Sequence, residues 1–585
     1  MSLPTLIRNL TRPKTPIVGV AKSRFYNKRW VQVLGLSVGT SCILYETNEN
    51  FHNTVRHGYI SFKRIGVVTI ALSRCVIQYK KVLSLNDTID DEDQKDENLR
   101  QCHLKAANIT LKALEKNGGV FIKLGQHIGA MSYILPLEWT QTMVPLQDHC
   151  PESSLDDIDR MFAKEIPGED LTTYFEWIDD EPLGVASLAQ VHRAKLKQGT
   201  KEVVAVKFQH PQLQEFVSVD VMMTKFVFAT LDKVFPQYSL VWLADELHSS
   251  IYDEINFNKE AQNAELTAKF FNKNKKLKRA TSVRVPKVLL HKDRVLIMEY
   301  IGGARLDDPT YLEDHNIKRN EVSESLAHIF NSMIFTKDAG IHCDPHMGNL
   351  SIRTCKPTKE NGYHNYEIVL YDHGLYRYPD LKTRRNYAKF WLSLLRHDQN
   401  EMRKWSYELA GITDDEFPLF AAAITGRSVE SALNYDIDSV RGNDEIEIMR
   451  KRMLDKASMP ADLEGTSTQG EENKLLKQLM KILAHIPRIV ILLLKTNDLT
   501  RYLDESLRNP LGPARGFLIL TSYCSSLVLQ EDLETAAAMW KDNIYIKAAT
   551  QYIAAWYKYI ATAYVRTTAY EIILFSRDCY KKLAH

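Results

Sequence analysis

The sequence predicts an α+β protein built as two lobes, a strand-rich portion followed by a helix-rich one. Three observations carry that prediction. Runs of β-branched and apolar residues cluster in one region: Gln190 to Leu196, Glu202 to Phe208 (EVVAVKF) and Arg294 to Tyr300 (RVLIMEY). Residues 380–450 and 474–580 read instead as helices. The chain has 585 residues, which suggests about three or four domain-sized units, or one two-lobed body with added helices.

Composition sets broad limits. Hydrophobic residues make up 44% and charged residues 25%, both ordinary for a globular chain. A net charge of +2 offers no general case for nucleic acid, which calls for a clustered basic face. Cys42, Cys75, Cys102, Cys150, Cys343, Cys355, Cys524 and Cys579 are scattered, and no CxxC pair occurs. Neither a zinc site nor a dense disulfide framework is indicated.

In chain order, residues 1–45 form the first segment. Arg8, Arg12, Lys14, Lys22, Arg24, Lys28 and Arg29 are basic, and no acid precedes Glu46. That pattern resembles a mitochondrial targeting sequence. Trp30 to Tyr45 is uncharged and shorter than the roughly 20 residues of a usual membrane span. It reads either as an anchor or as part of a leader. As an anchor in the inner membrane, its basic flank keeps to the matrix and the body faces the intermembrane space. Residues 46–150 form a helical extension. Ile65 to Val82 and 99–131 read as helices, separated by an acidic run from Asp87 to Glu97. Phe121, Leu124, Ile128 and Met131 make one apolar face. Residues 151–303 hold the strands, with a turn at Gln198-Gly199-Thr200. Residues 304–455 hold Ile368 to Tyr371, a short strand before Asp372. A polar linker covers 456–473, and 474–585 form a helical C-terminal extension. Its aromatic stretch from Tyr545 to Phe575 reads first as core, with docking on lipid headgroups as the alternative.

Chemistry enters with His342-Cys343-Asp344-Pro345-His346-Met347-Gly348-Asn349. Its His, Asp and Asn carry the spacing of the protein-kinase catalytic loop H-R-D-x-x-x-x-N. There Asp344 orients or deprotonates an attacking hydroxyl, and Asn349 holds Mg²⁺ near the phosphates. Asp372-His373-Gly374 stands where such a kinase has D-F-G, making Asp372 the second metal ligand. Lys356 to Tyr363 (KPTKENGY) between them reads as an inserted hairpin loop. Val204-Ala205-Val206-Lys207 matches V-A-I-K, whose lysine binds the α- and β-phosphates of ATP. A lysine on a buried strand needs a phosphate or carboxylate partner. Glu260 is the candidate, on a helix face shared with Asn256 and Asn263. Glu299, Tyr300 and Ile301, at the end of RVLIMEY, are candidates for the adenine-binding hinge. No G-x-G-x-x-G precedes Lys207, and no G-x-x-x-x-G-K-[ST] occurs. Each motif alone has an ordinary structural reading; their order together predicts a protein-kinase-like fold with N- and C-terminal helical extensions.

These departures resemble the UbiB family of aarF-domain-containing atypical kinases, in its mitochondrial aarF-domain-containing kinase one-like branch. Lys123-Leu124-Gly125-Gln126 matches that family's K-x-G-Q, and His342 to Asn349 its H-x-D-P-H-x-G-N. Gly184-Val185-Ala186-Ser187 matches its alanine-rich loop in Ala186 and Ser187. Glu254-Ile255-Asn256 matches E-x-D with Asn for Asp. DHGLYR and LLLKTNDLTR resemble the same branch. The resemblance covers about residues 100–380. It implies that the extension folds over the place where a kinase admits a peptide. It also implies that Lys123 points towards the E-x-N segment with Glu254 as its main anchor, that Lys123, Gln126, Glu254 and Asn256 are regulatory, and that ATP, Mg²⁺ and an isoprenoid or other mitochondrial lipid are the ligands. The functions expected are an ATPase or small-molecule kinase tied to coenzyme Q and mitochondrial lipid balance, or a non-catalytic membrane-associated pseudokinase. An active protein kinase is disfavoured, because no A-P-E follows Asp372.

Overall fold

The computed structural model describes residues 48–130, 135–148, 150–199, 202–236, 241–425, 482, 485–509 and 512–566, with four isolated positions beyond. The targeting and anchor segment 1–45, the linker 456–473, Met131 and residues 426–450 lie outside the described residues. The chain divides into two compact units, Met1–Gly66 and Val67–His585. Of the first, only the opening of helix α1 (Glu49–Asn86) is described.

In the second unit α2 (Glu92–Asn117) starts at the acidic run, where the Asp91 side chain accepts from the Asp93 and Gln94 amides. The expected helix over 99–131 is two helices. Gly118 (φ 66°) and Gly119 (φ 53°) adopt left-handed backbone, which ends α2 and opens α3 (Val120–Ala130). Gly125 then lets α3 approach its neighbours: a Cβ there would lie 2.2 Å from Leu146 Cδ1 and 3.0 Å from Leu114 Cδ1. Helix α4 (Leu137–Met143) packs on both α2 and α3.

The N-lobe sheet has six strands: β1 (Phe175–Ile178), β2 (Gly184–Val185), β3 (Ala189–Leu196), β4 (Val203–Gln209), β6 (Val288–His291) and β7 (Val295–Glu299). Its order is β1-β3-β4-β7-β6, with β2 beside β3, and all its pairings are antiparallel. Strand period decides the burial of β4. Val204, Val206 and Phe208 point to one side and pack with Ile158, Met161 and Phe162 of α5 (Leu155–Glu165). Ala205 points to the other side, with Phe257 and Ala261. Lys207 shares that second side. Two further helices, α6 (Leu213–Val234) and α7 (Val241–Glu254), lead into α8 (Phe257–Lys273). Asn256 caps α8 by accepting from the Lys259 amide at 3.0 Å.

In the C-lobe, β5 (Val283–Arg284), β10 (Tyr366–Leu370) and β9 (Leu350–Thr354) form a three-stranded sheet. Strands β9 and β10 are the antiparallel arms of the expected hairpin. Behind them lies α9 (Arg319–Phe335). A two-stranded ladder pairs β8 (Ile341–His342) with β11 (Tyr376–Arg377). Four helices close this lobe: α10 (Leu381–Leu395), α11 (Gln399–Ala410), α12 (Phe417–Thr425) and α13 (Arg488–Ser506). They are joined by α14 (Gly512–Lys541). Tyr387, Phe390, Phe420, Val490, Leu493 and Cys524 belong to one buried cluster. Helices α13 and α14 of the C-terminal extension therefore share the C-lobe core. The last regular helix is α15 (Tyr545–Tyr559), packed on α14. Among the described residues no helix is long and apolar enough to cross a membrane.

Candidate active site

Lys207 sits on the central strand, paired with Val191 on β3 and Leu296 on β7. Its Nζ lies 2.7 Å from Glu260 Oε1 and 3.0 Å from Asp372 Oδ2. Residues 207, 260 and 372, separate in sequence, thus meet at one ammonium. Glu260 occupies the first turn of α8, where its charge suits the helix N-terminus. Asp372 follows β10 and is fixed by the Gly374 amide, which donates to its Oδ1 at 2.8 Å. The turn after it is held by Asn263 Nδ2, which donates to the His373 carbonyl at 2.9 Å. Burial opposes the charge on Lys207, but Asp372 and Glu260 outweigh it and raise the pKa. Burial pushes Glu260 up to about 7 against the pull of Lys207. Asp372 stays well below the ordinary carboxylate range despite burial, because Lys207 and the Gly374 amide favour its charge.

The catalytic loop leaves β8 and returns to the same framework. Asn349 Nδ2 donates to the Asp344 carbonyl at 2.9 Å, and the Tyr371 amide donates to the Asn349 carbonyl at 3.0 Å. Asn349 is therefore locked between Asp344 and the strand that delivers Asp372. Asp344 itself is held by two lysines. Lys495 Nζ lies 2.8 Å from Oδ1, and Lys123 Nζ lies 3.5 Å from Oδ2. Lys123 also pairs with Glu254 at 2.8 Å. Burial alone would push Asp344 up; Lys495 and Lys123 hold it well below the usual range. For Lys123, burial opposes the charge, and Glu254 and Asp344 overcome it.

The two clusters adjoin. A Cβ on Gly374 would lie 3.7 Å from Glu254 Cα, so the DHG turn runs against the start of the E-x-N segment. Asn256 stands apart from Lys123 in role, because its side chain is spent on the α8 cap. Gln126 Nε2 donates to the Leu146 carbonyl at 3.0 Å, so it braces α3 and does not meet Glu254 or Asn256. The Ala186 amide donates to the Ala189 carbonyl at 2.8 Å, closing a tight turn between β2 and β3. His210 bridges that turn through Ala186 O (2.9 Å) and Ser153 Oγ (2.8 Å). Ser187 is buried within the turn. At the strand end, Glu299 binds Arg284 at 2.6 Å, and the Ile301 carbonyl accepts from Tyr371 OH at 2.7 Å. Tyr300 is half-buried between them.

Lys495 is the residue that reading by motif missed. Its signal was present: a lone charge ending the apolar run Ile489 to Leu494. Asp253 is a second such residue; it binds Lys259 at 2.5 Å and also Arg377, joining α7 and α8 to β11.

The donor set fits a nucleotide with its metal. Lys207, Glu260 and Asp372 together carry one net negative charge when Glu260 is ionised, beside an amide, Asn349, whose nitrogen is already engaged. Among the described residues no group of three or more His, Cys, Asp or Glu forms a metal cage. One carboxylate and one amide is the sparse protein contribution that Mg²⁺ accepts when phosphates complete its shell.

The ABC1 atypical kinase-like domain profile matches residues 145–406. The chain is 54% identical to the ABC1 family protein MCP2 of Saccharomyces cerevisiae, over 86% of this chain and 85% of that protein. It is 39% identical to the MCP2 homolog of Schizosaccharomyces pombe, over 84% of each. Against AarF domain-containing protein kinase 1 of Gallus gallus the identity is 32%, over 82% of this chain and 89% of that one. The solved complex of Rv3197 with erythromycin from Mycobacterium tuberculosis aligns over 67% of this chain and 94% of its own, at 19% identity and a TM-score of 0.37. With its kinase-like constellation and relatives matched over most of their length, the chain belongs to the ABC1 family of atypical kinase-like proteins, the UbiB or aarF-domain-containing family.

Proposed function

We propose that this protein binds Mg²⁺–ATP and turns it over slowly, as an ATPase or small-molecule kinase supporting mitochondrial lipid and coenzyme Q homeostasis. The single observation that carries the reading is Lys207 held between Glu260 and Asp372. In a kinase-like site that lysine pairs with phosphates while its glutamate fixes its position. Lys207 would hold the α- and β-phosphates, and the turn at Ala186 and Ser187 would cover them. Glu299 to Ile301 would present backbone to adenine. Asp372 and Asn349 would hold the metal, which would offset the negative charge of the phosphates. Asp344 would orient the attacking hydroxyl or water. The lipid and mitochondrial parts of the proposal rest on the resemblance to the UbiB family and on the basic, acid-poor N-terminus.

One observation favours the second reading, a pseudokinase using nucleotide as a switch. Both oxygens of Asp344 are engaged by lysines from the two extensions, which leaves an acceptor to compete for it. The same contacts disfavour a peptide acceptor, since Lys123 brings α3 to the place such a substrate would use. Nucleotide binding and phosphate release separate the readings. Asp372→Asn is expected to abolish Mg²⁺-dependent ATP binding, and binding at wild-type strength would sink the proposal. Asp344→Ala is expected to keep nucleotide binding and lose phosphate release by at least about 100-fold, on the scale of a lost catalytic group. Release indifferent to Asp344 would instead leave the pseudokinase reading.

A further inference from the structure

Helix α15 is amphipathic in the wrong sense for a helix on the outside of a core. Its small residues Ala548 and Ala555 are buried at 2% exposure each, against α14. Its large residues face outward. Ile546 is 85% exposed, Ile553 67% and Tyr557 74%, with Tyr552, Trp556 and Ile560 beside them. Steps of seven, four and three residues place Ile546, Ile553, Tyr557 and Ile560 on one stripe. At 1.5 Å per residue the stripe runs about 20 Å. Trp540 and Ile544, also exposed, extend it towards α14. Contiguous apolar surface of this kind marks an interaction site.

Charge identifies the partner. Within α15 the charged residues are Lys547 and Lys558, with no acid; Asp542 stands just before the helix, next to Lys541. Two acids of α14 at this end are drawn into ion pairs with the C-lobe, Glu531 with Lys389 at 2.8 Å and Glu534 with Arg385, while Asp532 lies 4.0 Å from Lys558 and offsets part of its charge. The face is therefore apolar and aromatic with a basic flank. Tyrosine and tryptophan, apolar in body and polar at the tip, suit the headgroup level of a bilayer.

We infer that α15 is a peripheral membrane-docking helix that lies in the headgroup region of an anionic lipid surface, with Ile546, Tyr552, Ile553, Trp556, Tyr557 and Ile560 directed into it. The binding is in-plane: the exposed stripe enters the interface while Ala548 and Ala555 keep the helix on α14. The inference is independent of nucleotide binding.

Flotation of the full-length protein with vesicles tests it. Partition is expected onto phosphatidylcholine–phosphatidylserine vesicles mixed at about four to one, and to weaken on phosphatidylcholine alone. Ile553→Asp with Tyr557→Asp should lower partition onto the mixed vesicles at least about tenfold, with thermal midpoint and ATP binding unchanged. Tyr557→Ser alone should give an intermediate loss, which keeps the test open should the double variant misfold. Brominated lipids should quench tryptophan fluorescence, and Trp556→Phe should remove the quenched component, which assigns the contact to this helix when another segment also binds. Unchanged partition of the variants, quenching indifferent to Trp556→Phe, or no binding by the wild type overturns the inference. So does a wild-type dimer that the double variant splits into monomers without loss of vesicle binding, since the stripe would then join two copies.

Discussion

Lys207 carries one positive charge and faces two carboxylates, so Glu260 and Asp372 cannot both be fully compensated. Glu260 is the deeper, at 1% side-chain exposure against 34% for Asp372, and it bears the higher pKa. A folded-state pKa of about 7, raised from 4.5, means that the group's contribution to stability is full below 4.5 and lost as pH rises through 7. The buried imidazoles act in the opposite sense. Burial lowers His342 to about 4 and His373 to about 3, so their contribution holds above 6.5 and is lost on acidification through those values. Glu260→Gln deletes the first effect alone. Relative to wild type, its thermal midpoint should rise between pH 5 and pH 7.5, whatever the constant offset from losing a Lys207 partner. Parallel melting curves across that interval would refute the assignment. At this scale the sequence was informative, since lysine on a buried strand demands a partner. Which glutamate supplies it was a matter of helix phase, and Asn256 departed from the expected shared face because it serves as the cap.

Helices α3 and α13 lie in the two extensions, more than 350 positions apart in sequence, and each delivers one lysine to Asp344. The arrangement couples them. Removing one lysine leaves Asp344 an ammonium partner, whereas removing both leaves only His346 Nε2 at 3.9 Å, and the cost approaches about 3–5 kcal/mol, that of an uncompensated charge. Lys123→Met and Lys495→Met should each destabilise by about 1–2 kcal/mol, allowing for partial exposure. The double variant should exceed their sum by about 0.5–3 kcal/mol in denaturant titrations. Strict additivity would show that the two helices do not communicate through Asp344. The helix faces were legible: Phe121, Leu124 and Ile128 are buried as their spacing predicts. The break at Gly118-Gly119 was not read, although paired glycines are a strong local signal. Lys495 escaped notice because its motif was recognised only as a likeness, without asking why a charge should end an apolar helix run.

On the scale of the whole molecule, the acid-poor, basic N-terminus and the proposed docking of α15 support the proposal of a membrane-associated mitochondrial protein, and the basic N-terminal flank supports the proposal that its body faces the intermembrane space. Protease added to isolated mitochondria with the outer membrane opened should then degrade the body; persistence of the intact body would place it in the matrix and reject that orientation. The sequence alone determined the order of the chemical groups, the strands that carry them and the hairpin between β9 and β10, because motif spacing and strand period are local properties of the chain. Tertiary structure decided four matters that no local pattern holds. It brought Lys207, Glu260 and Asp372 to one point, set Lys495 on Asp344, and merged α13 and α14 into the C-lobe core. It also turned the aromatic stretch from Tyr545 outward, against the first expectation of burial, since Ala548 and Ala555 offered the closer packing on α14. Periodicity shows that a helix has two faces, but which face is covered depends on the shape of the neighbour that meets it.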